Sequence, residues 1–330
     1  MKKTLLSLAL IATTFTFSQV LQSDNFNSLT IGNVGTDFSG SSTGQGSWYT
    51  FASNGSAPTT TTNAGNNNFQ IVSSGISATN GLQITGPNGN KGARYMWLDG
   101  LSTAWASRTP GNDKIEVVYN FFTGAPSTST NLIGVQLYDS AFSSVLNGYS
   151  YDPSTGVLEG LAFLDVSGTQ GNYAISLGAG GSDLILNSNT WYRLGFGFDS
   201  ATGQPYWNID SGATLSVANT VWVPSSDIYE IDFAVDAQSS NTSSSISIFD
   251  NYIVKATNTD TLGEVDFYNN SNSFTIYPNP VSNLLNISNS NNFDIKNISV
   301  TDINGRVVKK QSGDLTQINV SDLNAGVYFV

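Results

Sequence analysis

The sequence of 330 residues has no histidine and no cysteine, and only 11% of it is charged, against roughly 25% in an ordinary globular domain. Without histidine there is no imidazole base, no Ser-His or Cys-His nucleophile pair and no histidine-held metal. Without cysteine there is no disulfide framework, thiolate metal site or iron–sulfur cluster. Basic residues number 12 against 24 acidic ones, a net charge of −12. Phosphate binding needs clustered Lys and Arg, so the balance argues against nucleic acid as a partner. Carboxylate catalysis, calcium binding through hard oxygen ligands and glycan binding on aromatic rings stay open.

Long apolar runs are also scarce. Met1-Lys2-Lys3 is a basic start, followed by an apolar stretch over 5–17. That stretch is too short for a span, which needs roughly 20 apolar residues, and fits the core of a secretory signal peptide. Thr16 and Ser18 are small residues at −3 and −1, which predicts a signal peptide over 1–18 and cleavage between Ser18 and Gln19. No later stretch is apolar enough to span a membrane, so a transmembrane segment is not expected after signal removal. The expected product is exported across the inner and outer membranes, then released or attached at the cell surface.

Helical periodicity is nearly absent, whereas alternation with period 2 recurs. Ile115, Val117, Tyr119 and Phe121 share one face of a strand; so do Ile133, Val135 and Leu137, and so do Leu194, Phe196 and Phe198. Tyr229, Ile231, Phe233 and Val235 form a further apolar row, with Glu230, Asp232 and Asp236 opposite. Such strands bury one face and wet the other. Gly, Asn, Asp and Pro clusters separate them, as at 86–89, 152–156 and 199–203, and many short strands between turns predict an all-β sandwich over 19–256. Residues 39–68, rich in Ser, Thr, Gly and Asn, read as long loops anchored by Trp48, Tyr49 and Phe51. A phase slip near Phe249-Asp250 predicts a β-bulge. Residues 257–273 read as an acidic polar linker, and a second strand-rich unit follows over 274–330. Residues 19–256 hold 6 basic and 17 acidic residues, whereas 274–330 hold 4 of each, so the acidity belongs to the large domain and linker.

In the C-terminal unit, Pro278-Asn279-Pro280 restricts the backbone before an edge strand. Asp302-Ile303-Asn304-Gly305 is a hairpin turn between β-rich runs. Leu323-Asn324-Ala325-Gly326 leads into a last apolar strand with Tyr328. In that order these motifs resemble the type A C-terminal sorting domain of the bacterial type IX secretion system. The resemblance implies a small Ig-like β-sandwich, with the secretion machinery as partner. Relatives run further past the Tyr-Phe-Val strand, so a C-terminally truncated domain is expected.

In the large domain, Trp191-Tyr192-Arg193-Leu194-Gly195-Phe196-Gly197-Phe198-Asp199 with Tyr206-Trp207-Asn208-Ile209-Asp210, and Ile248-Phe249-Asp250-Asn251-Tyr252-Ile253-Val254, resemble strands of laminin-G and concanavalin-like jelly rolls. Asp24-Asn25-Phe26 is expected beside that closing strand. Such folds host lectins, enzymes and adhesins alike.

A non-catalytic glycan-binding module is the leading functional reading, because sugar C–H faces stack on rings while Asp and Asn bond the hydroxyls. Its candidates are Trp97, Asp99, Trp105, Tyr206 and Trp207; Trp191 is assigned to the core. Structural calcium is expected at Asp24 and Asp250, where terminal strands meet. Glu230, Asp232 and Asp236 resemble the acidic strand of laminarinase-like glycoside hydrolases, although the spacing is one residue too long and the last acid is Asp. As a bare pattern they read as the wet face of a strand. A third reading is a surface adhesin or stalk without sugar binding. Asp139-Ser140-Ala141, Asp199-Ser200-Ala201 and Asp260-Thr261-Leu262 resemble a bacterial O-glycosylation tripeptide.

Overall fold

The computed structural model describes residues 18–217, 221–264, 274–289, 296–313 and 315–330. The signal segment up to residue 17 and the linker over 265–273 lie outside the described residues. The chain forms two compact units, 1–265 and 266–330. No helix among the described residues is long and apolar enough to cross a membrane.

The large unit contains β1 (Gln19–Asp24), β2 (Tyr49–Ala52), β3 (Phe69–Val72), β4 (Gly81–Thr85) and β5 (Ala93–Trp97), then the short helix α1 (Leu101–Ala106). There follow β6 (Lys114–Phe122), β7 (Leu132–Tyr138), β8 (Val145–Asp152), β9 (Val157–Val166) and β10 (Thr169–Ser176). The last are β11 (Trp191–Asp199), β12 (Pro205–Ile209), β13 (Glu230–Asp236) and β14 (Ile246–Thr257). They make two antiparallel sheets. One runs β12-β11-β6-β14-β4-β3, with β1 also paired to β14; the other runs β10-β9-β8-β7-β13-β5-β2. The result is the all-β sandwich expected from the alternation.

Residues with period-2 spacing close the sandwich. Val117, Tyr119 and Phe121 of β6 meet Val135, Leu137 and Phe233 of the other sheet, all essentially inaccessible to water. Phe233 and Phe249 meet edge to face at 5.0 Å between ring centres, a geometry that satisfies the ring quadrupoles. The predicted bulge is present: the β14–β6 register shifts between Asp250 and Ile253, and Asn251 takes φ 51°. Asp24 pairs with Tyr252, so the two ends of the domain are neighbours, as expected.

Three expectations are corrected. Residues 39–68 are not only loops, since Tyr49–Ala52 forms the edge strand beside β5. Trp191 is half-buried and packs on Phe122 at 5.3 Å, because it is out of phase with the buried Leu194, Phe196 and Phe198 and so faces outward. The polar stretch after β14 begins as part of the sandwich. Leu262 is fully buried against Val118, Tyr206 and Ile253. The Arg193 guanidinium donates to the carbonyls of Leu262 (2.6 Å) and Glu264 (2.9 Å). Beneath this strap, buried Glu116 accepts from the Thr261 amide at 2.8 Å and from its hydroxyl, and lies 3.7 Å from the Lys255 ammonium.

The small unit contains β15 (Phe274–Tyr277), β16 (Leu284–Asn289), β17 (Ile298–Asp302), β18 (Val307–Gln311), β19 (Gln317–Asn319) and β20 (Tyr328–Phe329). They pair as β15-β16-β19 and β18-β17-β20. Leu285, Ile298, Val300, Ile318 and Val320 form its core, with Leu323 and Tyr328 packed against it. The predicted hairpin turn is present: Gly305 has φ +79° and its amide donates to the Asp302 carbonyl, while the Asp302 carboxylate accepts from the Asn304 and Arg306 amides. Pro278, Asn279 and Pro280 fall in the bend between β15 and β16.

Candidate functional site

The outer face of the β13 sheet carries a trough of about 410 Å³. Ile231, Phe233 and Val235 point into the core, so strand alternation turns Glu230, Asp232 and Asp236 outward. Register then assembles two aromatic rows beside them. Tyr49, Trp97 and Asp232 lie opposite one another across β2, β5 and β13, as do Phe51, Tyr95 and Ala234. Trp97 stacks on Tyr49 at 5.4 Å and Phe51 on Tyr95 at 6.1 Å, with planes within 12° in both pairs. Across the trough Tyr138 pairs with Glu230, and its ring meets Phe142, which in turn meets Tyr229 edge to face.

The carboxylates are therefore not a wet face. Glu230 is 9% exposed and Asp232 7%, and Asp232 Oδ1 accepts no hydrogen bond from any donor among the described residues. Burial, then repulsion from Asp99, pushes Glu230 up to about 7. Burial, followed by the charge of Glu230, pushes Asp232 up to about 8. The two carboxyl groups are close enough to share one proton. Asp236 is also raised by burial, and Tyr95 donates to it at 2.7 Å. Asp99 lies beside the Tyr49 hydroxyl and raises its pKa through its charge.

These shifts have a stability consequence. Both acids are neutral in the fold well above the pH at which they ionise in the unfolded chain. Their favourable contribution is complete below about pH 4 and is lost as pH rises through 7 to 8. Asp232→Asn is expected to raise Tm by several degrees at pH 8.5 and hardly at all at pH 4. Equal shifts at both pH values, in parallel thermal melts, would show that the charge is not the cause.

Of the predicted ligand-binding residues, the structure brings Trp97 and Asp99 to this site, together with the acids first noted for their hydrolase-like pattern. The other three are elsewhere. Trp207 is wholly buried between the sheets and its indole N–H donates to the Gly148 carbonyl at 2.8 Å. Trp105 is buried on α1, with the Arg108 guanidinium 3.9 Å over its ring. Tyr206 lies beneath the strap on the other sheet, 4% exposed, donating to Glu116. None of the three offers a ring face to a sugar. Phe51, Tyr95, Tyr138 and Phe142 were missed. The signal was available, because Tyr49-x-Phe51 and Tyr95-x-Trp97 are aromatic pairs at strand period on the face opposite the core residues.

Asp24 and Asp250 do not fit a calcium ion. Asp24 accepts from the Phe26 amide and the Trp48 indole, both at 2.7 Å. Asp250 accepts from the Ile76 and Asn251 amides and the Thr79 hydroxyl, and burial pushes it up to about 6. These N–H and O–H donors present positive ends where a cation would sit, so Asp24 fastens the following loop and Trp48 to β1, and Asp250 fastens the 76–79 turn to β14. Among the described residues no three acidic side chains converge as a metal site. Of the tripeptide hydroxyls, Ser140 is exposed, whereas Ser200 and Thr261 are buried and bonded to Asp113 and Glu116.

The small unit decides where the protein goes. Residues 275–330 match the family model of the secretion system C-terminal sorting domain. This sorting domain, of the type IX system, indicates export and a surface or extracellular location, with the secretion machinery as partner. No curated protein matches the chain. Among solved structures, the cellulose-induced protein Cip1 is 13% identical, over 72% of this chain and 97% of that one, with a TM-score of 0.45. The catalytic domain of a glycoside hydrolase family 131 protein from Coprinopsis cinerea is 13% identical, over 75% and 100%, with a TM-score of 0.42. Trypanosoma rangeli sialidase is 12% identical over 64% of this chain, at a TM-score of 0.36; the match spans 31% of the sialidase.

Proposed function

We propose that this exported protein binds an extracellular glycan in the trough on the β13 sheet. The observation that carries the reading is the pair of stacked aromatic walls, Trp97/Tyr49 and Phe51/Tyr95, beside buried carboxyl groups with hydrogen-bonding capacity to spare. Rings present faces to the apolar side of a pyranose, and carboxyl groups meet its hydroxyls. A glycan array on the full chain, followed by calorimetry, tests it. Trp97→Ala is expected to weaken binding about thirtyfold, or roughly 2 kcal/mol. Undiminished binding by Trp97→Ala would move the site elsewhere, and silence on the array would favour a surface adhesin or stalk without sugar binding.

Hydrolysis is a second reading, favoured by Glu230 being poised near neutrality, where a general acid works best. Spacing counts against it. Glu230 and Asp232 are close enough to share a proton, nearer than the roughly 5–9.5 Å between paired glycosidase carboxylates. Asp236, four residues beyond Asp232 on the same strand, is too far at about 13 Å. Release of reducing ends from a bound glycan, abolished by Glu230→Gln, would reverse that ranking.

A further inference from the structure

Resting on the glycan reading, we infer that the trough selects sugars carrying a free amino group over neutral or acidic ones. Among the described residues the lining carries acids and rings and no basic side chain. Glu230 and Asp232 form its floor, Asp99 and Asp236 stand nearby, and among the described residues no Lys or Arg lines it. Arg94, on β5 between Ala93 and Tyr95, is fully buried, its guanidinium bonded to the Ser53 and Ala93 carbonyls and to Asn63. The hydroxyls around the acid pair are Tyr95 on β5, Tyr138 on β7 and Tyr252 beneath it on β14, and Tyr49 stands by Asp99. None supplies positive charge.

Asp232 is more than nine-tenths buried and lines the trough, and its Oδ1 has no donor among the described residues. A neutral hydroxyl gives the acid pair one hydrogen bond. An ammonium group brings a full charge and three donors that can be divided among the oxygens of Glu230 and Asp232. Trp97, Tyr95 and Tyr138 add ring faces, which attract cations held within about 6 Å. An incoming ammonium displaces the proton shared by Glu230 and Asp232, so uptake of the amino sugar should release protons. A uronate or sulfated sugar would instead add negative charge to an uncompensated acidic site.

The test is calorimetry on the full chain at pH 7 and low salt, with a glucosamine tetramer, its N-acetylated counterpart and a glucose tetramer. The amino tetramer is expected to bind at least about tenfold tighter than either, less tightly at pH 5, where the acid pair is protonated, and less tightly in 0.5 M salt. Asp232→Asn and Glu230→Gln should each lower amino-tetramer affinity about tenfold, with thermal melts confirming that both fold. Equal binding of the three tetramers, or preference for a neutral one, overturns the inference and leaves the glycan reading standing. Binding of none overturns the inference, and silence on the glycan array as well overturns both. A lysine-rich peptide that binds as tightly as the amino tetramer also overturns it, by showing recognition of charge without sugar.

Discussion

Trp207→Ala is expected to cost about 3–5 kcal/mol and to lower Tm on the order of 10 °C, whereas Trp97→Ala should shift Tm far less. Trp207 has no exposed surface, and its indole reaches from β12 into the opposite sheet. It lies flat against Gly160, where a β-carbon would come within 2.5 Å of the ring. Alanine would leave a cavity between two sheets whose backbones are held by their own ladders and cannot close over it, and would leave the Gly148 carbonyl short of its donor. Trp97 sits at the rim, and its loss falls on the ligand. Thermal melts of the two variants decide the matter. A larger fall for Trp97→Ala would mean that the assignment of rim and core is inverted.

Glu116→Ala should be nearly as damaging, at about 3–5 kcal/mol. Glu116 has no exposed surface, and burial holds its carboxyl above the ordinary range even though Thr261 and Lys255 favour its charge. Removing it takes away the carboxylate facing buried Lys255, the acceptor for the Thr261 amide and the acceptor for the Tyr206 hydroxyl. The strap should then lift. Limited thermolysin digestion should give a new cut beside Leu262, which is fully buried in the intact protein. A Tm within 2 °C of the parent and no new cut would mean that Leu262 and Arg193 hold the strap unaided.

Alternation made the core legible in the sequence. Each row marked as inward on β6, β7 and β11 is buried, and the bulge at Asp250 followed from one break in phase. Period 2 specifies which residues share a face, but not what covers the other face. Glu230, Asp232 and Asp236 therefore read as solvated, because the rings that shield them come from β2 and β5, about 135 to 185 residues earlier, and from the 139–143 turn. Tyr206 read as a binding ring for the same reason, since its cover arrives more than 50 residues later. Trp207 is its neighbour on the opposite face, and a Tyr-Trp pair on a strand necessarily divides between the two faces. The hairpin at 302–305 was legible because it is local, with its donors and acceptors within five residues.

The strap also has a mechanical consequence. A pull on the chain from its C-terminal side meets the sandwich at Glu264, before tension runs along the backbone into the end of β14. There the load passes to Arg193 on β11, Glu116 on β6 and Lys255 on β14, three adjacent strands of one sheet. Force is spread over several bonds in parallel, so β14 is not peeled from its neighbours one bond at a time. Those few residues act as a strain relief, like the collar where a cable enters its plug.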